Sequence, residues 1–242
     1  MPSENINDIF LDLLPDVVKK ALSENDTETV ELWMESESKS GNARAQYVMG
    51  AAYAVGLGRE RNPEKARDYF EKAAKHGYAP ALNSLGVIYL NGVEVEPDHE
   101  KAKGYFEQAV ALGNADAMCN LGTMYEDGLA VEQDYGKAYE LYKQAVFNGD
   151  IDAYCNLGVL YEDGHGVEHD YDMAIKMYTK GAKLGDADCM CNLGLMYAEG
   201  KGVAHDIKKA AAWYAAAARL GDDEALEELI EYKNKGLLKD TV

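Results

Sequence analysis

The sequence predicts an all-α solenoid of antiparallel helix pairs that recur every 36 residues. Three sets of columns in one register carry that reading. Gly50, Gly86, Gly122, Gly158 and Gly194 stand 36 apart, each followed three residues on by Tyr53, Tyr89, Tyr125, Tyr161 or Tyr197. A second series, Gly41, Gly77, Gly113, Gly149, Gly185 and Gly221, keeps the same step. So do Ala66, Ala102, Ala138, Ala174 and Ala210.

The elements follow in chain order. Residues 1–42 read as an N-terminal helical cap and half-repeat. Ile6, Ile9, Phe10, Leu13, Leu14, Val17, Val18 and Leu22 form amphipathic pieces around Pro15, and Val30, Trp33 and Met34 fall on the frame of a second helix. Five helix pairs then occupy 43–222. Helix A of each pair opens after Asn42, Asn114, Asp150 or Asp186, and the C-terminal helix after Asp222, side chains suited to N-capping, with Tyr78 the exception. The glycine just before ends the preceding helix in a left-handed conformation. Helix B opens at Asn62, Asp98, Asp134, Asp170 or Asp206, with Pro63 at the first turn of the first. The A–B loop holds Gly56, Gly92, Gly128, Gly164 or Gly200 and, from the second pair on, Val95, Val131, Val167 or Val203. Residues 223–242 read as a C-terminal capping helix, where Ile230 and Lys233 replace the expected Gly and Tyr.

A glycine inside helix A costs about 1 kcal/mol against alanine. Five in register predict that a neighbouring backbone approaches there, with the alanine column of helix B as its counterpart. Paired large residues (Tyr69 and Phe70, Tyr105 and Phe106, Leu141 and Tyr142, Met177 and Tyr178, Trp213 and Tyr214) fill the remaining core.

With 47% hydrophobic and 28% charged residues the chain can bury a core. Forty-three acidic against 24 basic residues leave a net charge of −19. That balance argues against nucleic acid and against an anionic membrane as partners. It fits a basic peptide or protein, or serves solubility alone. No apolar run approaches the roughly 18 residues of a membrane span. No secretory signal is visible at Met1, and the four cysteines suggest no disulfide framework, so a reduced, cytoplasmic setting is expected. The sequence specifies no oligomeric state.

The run Asn120-Leu121-Gly122-x-x-Tyr125, the loop Gly128-x-x-Val131, then Asp134-x-x-Lys137-Ala138 and a closing Gly149 resemble the Sel-one-like repeat (SLR) family, a relative of the tetratricopeptide repeat. The first repeat departs furthest, with Met49-Gly50 for Leu-Gly and no loop valine. The resemblance implies a right-handed superhelix with A helices on its concave side, used as an adaptor for protein partners.

At about 100° per residue, Ala117, Leu121 and Tyr125 share one side of helix A. Opposite lie Asp116, Cys119, Thr123 and Glu126, with Asp127 nearby. The fourth repeat supplies Asp152, Cys155, Val159, Glu162 and Asp163 to that face, and the fifth supplies Asp188, Cys191, Leu195, Ala198 and Glu199. By the resemblance this face lines the groove. An extended or helical peptide carrying Lys or Arg beside apolar anchors is the expected ligand. The bland alternative is that Glu126, Asp127, Glu162 and Asp163 only follow the repeat consensus. In the first two repeats the face turns largely apolar: Arg44, Tyr47, Ala51, Ala54 and Val55, then Pro80, Asn83, Val87, Leu90 and Asn91. Either the N-terminal segment or a partner covers it, and the segment is favoured because a bare apolar patch is a liability.

No enzyme, cofactor or metal is expected. Cys119, Cys155 and Cys191 occupy equivalent points of successive layers, about 8–10 Å apart, which is too far for a disulfide or shared metal. Cys189 and Cys191 point about 200° apart around one helix. All four read as small packing residues. His165 and His169 flank Gly166 and Val167 without a zinc geometry, and no hydrolase or phosphate-loop motif is present. Some cysteine-rich SLR proteins are linked to penicillin binding or β-lactamase activity. Helix B has no cysteine here, which disfavours that hydrolase alternative.

Overall fold

The computed structural model describes residues 27–57 and 59–238, together with Asp16, Lys19 and Lys20. The amphipathic pieces expected between Ile6 and Leu22, and their covering of the first two repeats, lie outside the described residues. Among those residues there are helices and no strands. The helices are α1 Thr27–Lys39, α2 Ala43–Val55, α3 Pro63–Lys75, α4 Ala79–Asn91, α5 His99–Ala111 and α6 Ala115–Asp127. They continue with α7 Tyr135–Phe147, α8 Asp152–Asp163, α9 Tyr171–Leu184, α10 Ala187–Glu199, α11 Ile207–Arg219 and α12 Asp223–Asn234. The chain divides into two compact units between Leu121 and Gly122. In the N-terminal unit each of α1 to α5 packs on its neighbour in sequence. In the C-terminal unit α7 to α12 do the same, and α8 also touches α10. The architecture is therefore the α-solenoid of helix pairs that the period implies.

The ends of these helices are set where the sequence places them. Asn114, Asp150, Asp186 and Asp222 accept from backbone N–H groups three residues on at 2.6–2.8 Å. Asn62, Asp98, Asp134 and Asp170 do so for helices B at 2.9–3.0 Å. Tyr78 makes no side-chain cap bond. The same B-helix caps also close the loops: the N–H groups of Asn62, Asp98, Asp134, Asp170 and Asp206 donate to the carbonyls of Tyr53, Tyr89, Tyr125, Tyr161 and Tyr197 at 2.8–2.9 Å. That bond ties the first residue of each B helix to the last turn of its A helix. Lys65, Lys101, Lys137 and Lys209 then lie 4.8–5.1 Å over the rings of Tyr53, Tyr89, Tyr125 and Tyr197, a cation–π contact of about 0.5–1 kcal/mol each at an exposed site.

The glycines inside helix A make room for something other than the expected backbone. A Cβ on Gly86, Gly122, Gly158 or Gly194 would stand 2.3–2.8 Å from the ring of Phe106, Tyr142, Tyr178 or Tyr214. At Gly50 Phe70 is the nearest group, and the backbone carbonyl of Ala66 also comes to 3.0 Å. The counterpart of the glycine column is thus the second aromatic of each pair, whose ring abuts the glycine. The alanine column is buried to 0–1% exposure and serves the same close approach beside it.

In the N-terminal unit Val48, Met49 and Ala52 form one cluster, with Trp33 of α1 packed on it. Ala66, Phe70, Ala73, Ala81 and Leu85 form the next. The C-terminal core is larger and runs from Ala174 and Tyr178 through Leu193 and Tyr214 to Tyr232 of α12.

Candidate functional site

The predicted groove face divides into an exposed rim and a packed floor. Asp116, Asp127, Asp152, Asp163, Asp188 and Glu199 are exposed, and Leu195 is 40% exposed. Thr123, Glu126 and Glu162 are half-buried. Cys119 is buried, contrary to its expected place on the lining, and Cys155, Val159 and Cys191 are only half-buried, packed in part on the core. The reason is visible in the C-terminal unit, where α8 and α10 touch directly. There the middle of the face is taken up in part by packing, with Cys155, Val159 and Cys191 set against the core. The first two repeats show the same departure: Tyr47, Ala51 and Ala54 lie against Phe70, Ala81 and Leu85. Tyr47 also has ring contacts to Phe70 and Tyr78 at 5.5 and 5.2 Å.

Two of the acids have internal partners. The hydroxyl of Tyr142 donates to Glu126 at 2.6 Å, and that of Tyr178 donates to Glu162 at 2.9 Å. Burial, with the Glu162 charge beside it, pushes the Tyr178 hydroxyl far above its ordinary value. Lys201, in the last A–B loop, reaches Glu162 at 3.1 Å and Glu199 at 2.9 Å. Those two carboxylates hold the Lys201 ammonium above its usual range. Glu126 and Glu162 therefore orient the aromatic that lies across their own helix, a role that periodicity alone does not reveal. Asp116 and Asp188 are exposed residues, yet the surrounding protein displaces enough water to raise both carboxyls. Each acid here stands at a cost in stability.

A cleft of about 500 Å³ opens between α10 and α12. Cys191, Asn192 and Leu195 form one wall and Tyr214 the floor. Glu224, Glu227, Glu228 and Glu231 form the other wall. Burial and the neighbouring Asp222 push the Cys191 thiol up to about 12, so it stands as a neutral thiol. Leu195 and Cys191 were expected on this surface, but the four glutamates were read as part of a cap. Their spacing of three, one and three residues along α12 was the available signal.

The structure also joins residues that the period kept apart. One ligand atom each from Cys155, Asp186 and Cys189 lie within 4.8 Å of one another. The side-chain amide of Asn192 donates to Cys155 Sγ at 3.0 Å. Its counterpart Asn120 donates to Asn83 at 2.9 Å, so the asparagine column links successive A helices. The hydrogen bond with Cys155, together with burial, drives the Cys189 thiol far above its ordinary value. Cys155 and Cys189, a pair that the 36-residue spacing does not relate, thus lie side by side. The histidines near the loops are engaged in ring contacts: His165 stacks on Tyr135 at 4.4 Å and His169 meets the edge of Tyr171 at 4.3 Å.

Among the described residues no helix is long and apolar enough to cross a membrane. The Sel1 repeat family model matches residues 43–78, 79–114, 115–150, 151–186 and 187–222. A Sel1 repeat protein from Oxalobacter formigenes is similar in structure, with TM-score 0.82 and 30% identity over 91% of this chain and 90% of that one. The protective antigen c5321 of uropathogenic Escherichia coli, which displays an SLR fold, has TM-score 0.71 and 32% identity over 84% of this chain and 44% of its own length. A Sel1 repeat protein from Klebsiella pneumoniae has TM-score 0.59 at 23% identity, covering 83% of this chain and 98% of that one. No curated protein matches the chain significantly.

Proposed function

The chain belongs to the Sel1 repeat family, and from that premise we propose that it is an adaptor whose acidic cleft binds a protein segment bearing Lys or Arg beside apolar anchors. Sel1 repeats act as protein–protein interaction scaffolds. The single observation that carries the finer reading is the cleft itself, where four glutamates of α12 face Leu195 and Cys191 across about 500 Å³. Carboxylates facing an apolar wall suit a ligand with alternating chemistry. A leucine- or phenylalanine-sized side chain packs on Leu195 and Tyr214 while a neighbouring cation meets the glutamates. Such charges steer encounter and fix register more than they add affinity. The exposed acids Asp152, Asp163 and Asp188 extend the same field within the C-terminal unit. A cytoplasmic setting with reduced thiols belongs to this proposal.

A selection of random displayed peptides on the full chain tests it. Recovered sequences should be enriched in Lys or Arg within a few residues of Leu, Ile or Phe. Recovery of neutral or acidic peptides, or of binders that compete equally well against a Glu224→Gln, Glu228→Gln double variant, would sink the reading.

A further inference from the structure

We propose that Cys155, Asp186 and Cys189 form a binding site for a thiophilic divalent d10 cation, zinc above all. This site is independent of the acidic cleft and of the adaptor reading. Two sulfurs and a carboxylate oxygen converge within 4.8 Å. Zn–S bonds of about 2.3 Å and a Zn–O bond of about 2.0 Å place tetrahedral donors roughly 3.5–3.8 Å apart, inside that bound. Cys189 is fully buried and Asp186 nearly so, and the three side chains together make a buried donor set.

The repeat register shows that the space for this group is made locally. The position of Cys189 is held by Ala45, Ala81, Ala117, Ala153 and Ala225 in the other units. The position of Gly181 is held by Ala73, Ala109, Ala145 and Ala217. Within residues 43–222 each column breaks once, on the consecutive helices α9 and α10, and a Cβ on Gly181 would stand 2.3 Å from Cys189 Sγ. One alanine has lost its methyl where the other has gained a sulfur. Volume exchange alone explains the fit of the sulfur. It does not explain why that sulfur meets a second cysteine and a carboxylate. Asn192 supplies the outer contact a thiolate ligand needs, an N–H donor on Cys155 Sγ. Asp186 is already fixed, since it caps α10 by accepting from the Cys189 N–H at 2.6 Å. Each sulfur binds the dication as thiolate, any proton it carries is released to solvent, and no electron moves.

The test is titration of the reduced, metal-free full chain with cobalt(II), read by absorption, followed by displacement with zinc. One equivalent should bind with thiolate-to-cobalt charge transfer and the visible bands of a tetrahedral ion, and zinc should bleach both. Cys189→Ala restores the residue the other repeats carry, so it should fold and lose the bands. Cys155→Ser should lose the charge transfer, Asp186→Asn should keep the cap yet bind at least tenfold more weakly, and Cys191→Ser should behave as the parent. Absence of the bands while all four thiols titrate as free overturns the proposal. So does a spectrum unchanged by Cys189→Ala, or a Cys155–Cys189 disulfide forming in air while the reduced protein ignores cobalt and zinc.

Discussion

The N-terminal and C-terminal units are built on one repeat but settle the same position differently. Where Phe70 and Phe106 lie across helix A in the first two repeats, Tyr142, Tyr178 and Tyr214 do so in the last three. The exchange is coupled to the far end of helix A, which carries Ala54 and Leu90 in the N-terminal unit but Glu126 and Glu162 in the C-terminal one. A ring without a hydroxyl needs no acceptor. A buried hydroxyl does, and the glutamate supplies it. The last repeat sharpens the point: Ala198 replaces the glutamate, and Tyr214 turns to Tyr232 of α12, at 5.9 Å between centroids. Acidity at the end of helix A is thus partly a consequence of core chemistry. The exposed aspartates and the α12 glutamates are the charges to which the proposed function assigns binding.

The largest effect should come from closing the gap that both units keep. Gly158→Ala places a Cβ 2.3 Å from the Tyr178 ring, which the hydroxyl bond to Glu162 holds in place. A loss of about 2 kcal/mol is expected in spite of alanine's better helix propensity, as overpacking usually costs 1–3 kcal/mol. Urea unfolding measures it. Next, Tyr178→Phe transplants the N-terminal solution into the C-terminal unit and strips Glu162 of one donor. It should cost about 1 kcal/mol, and an added Glu162→Leu, copying Leu90, should recover much of that in a double-mutant cycle.

A smaller gain is expected in a loop. Glu94 and Ala130 sit at φ 55°, where the later repeats have Gly166 and Gly202 at φ 69° and 66°. The left-handed region costs a residue with a Cβ about 1 kcal/mol. Ala130→Gly should therefore raise stability by roughly 0.5 kcal/mol after the entropy of glycine is subtracted, read as a higher denaturation midpoint. The smallest effect concerns Asp188, whose carboxyl is raised by burial. The folded state holds that proton more tightly than the unfolded chain. Stability therefore falls as pH rises from the ordinary carboxylate value through the raised one, and it stays lower above. Asp188→Asn should melt slightly higher than the parent at neutral pH, with the difference closing in acid.

Much of the fold was legible because capping and glycine chemistry are local. Asn and Asp at the helix starts and the left-handed glycines at the ends act over three or four residues, within reach of a pattern read along the chain. What faces the interior glycines is a matter of contact across helices. The period showed that something comes close at Gly86 or Gly158, yet it could not distinguish an alanine backbone from an aromatic ring twenty residues on. The cysteines failed for a related reason. Comparing positions 36 apart sets Cys155 against Cys191, whereas its neighbour is Cys189, two residues off the register. The signal was present as two broken alanine columns, at Gly181 and Cys189. On the helix A face periodicity places the aspartates in exposed positions, as at Asp152 and Asp188, but it does not foresee the burial of Cys119, which depends on contacts between helices.

The central claim is that the working charges lie in the C-terminal unit. It is tested most directly by measuring how binding of a selected basic–apolar peptide depends on salt in two variants. Glu227→Gln with Glu228→Gln and Glu231→Gln should weaken binding at least tenfold at low ionic strength and flatten its salt dependence, while Val87→Ser with Leu90→Ser in the N-terminal unit should leave both unchanged. Equal salt dependence in the glutamine variant and the parent, or loss of binding only in the N-terminal variant, would contradict the account.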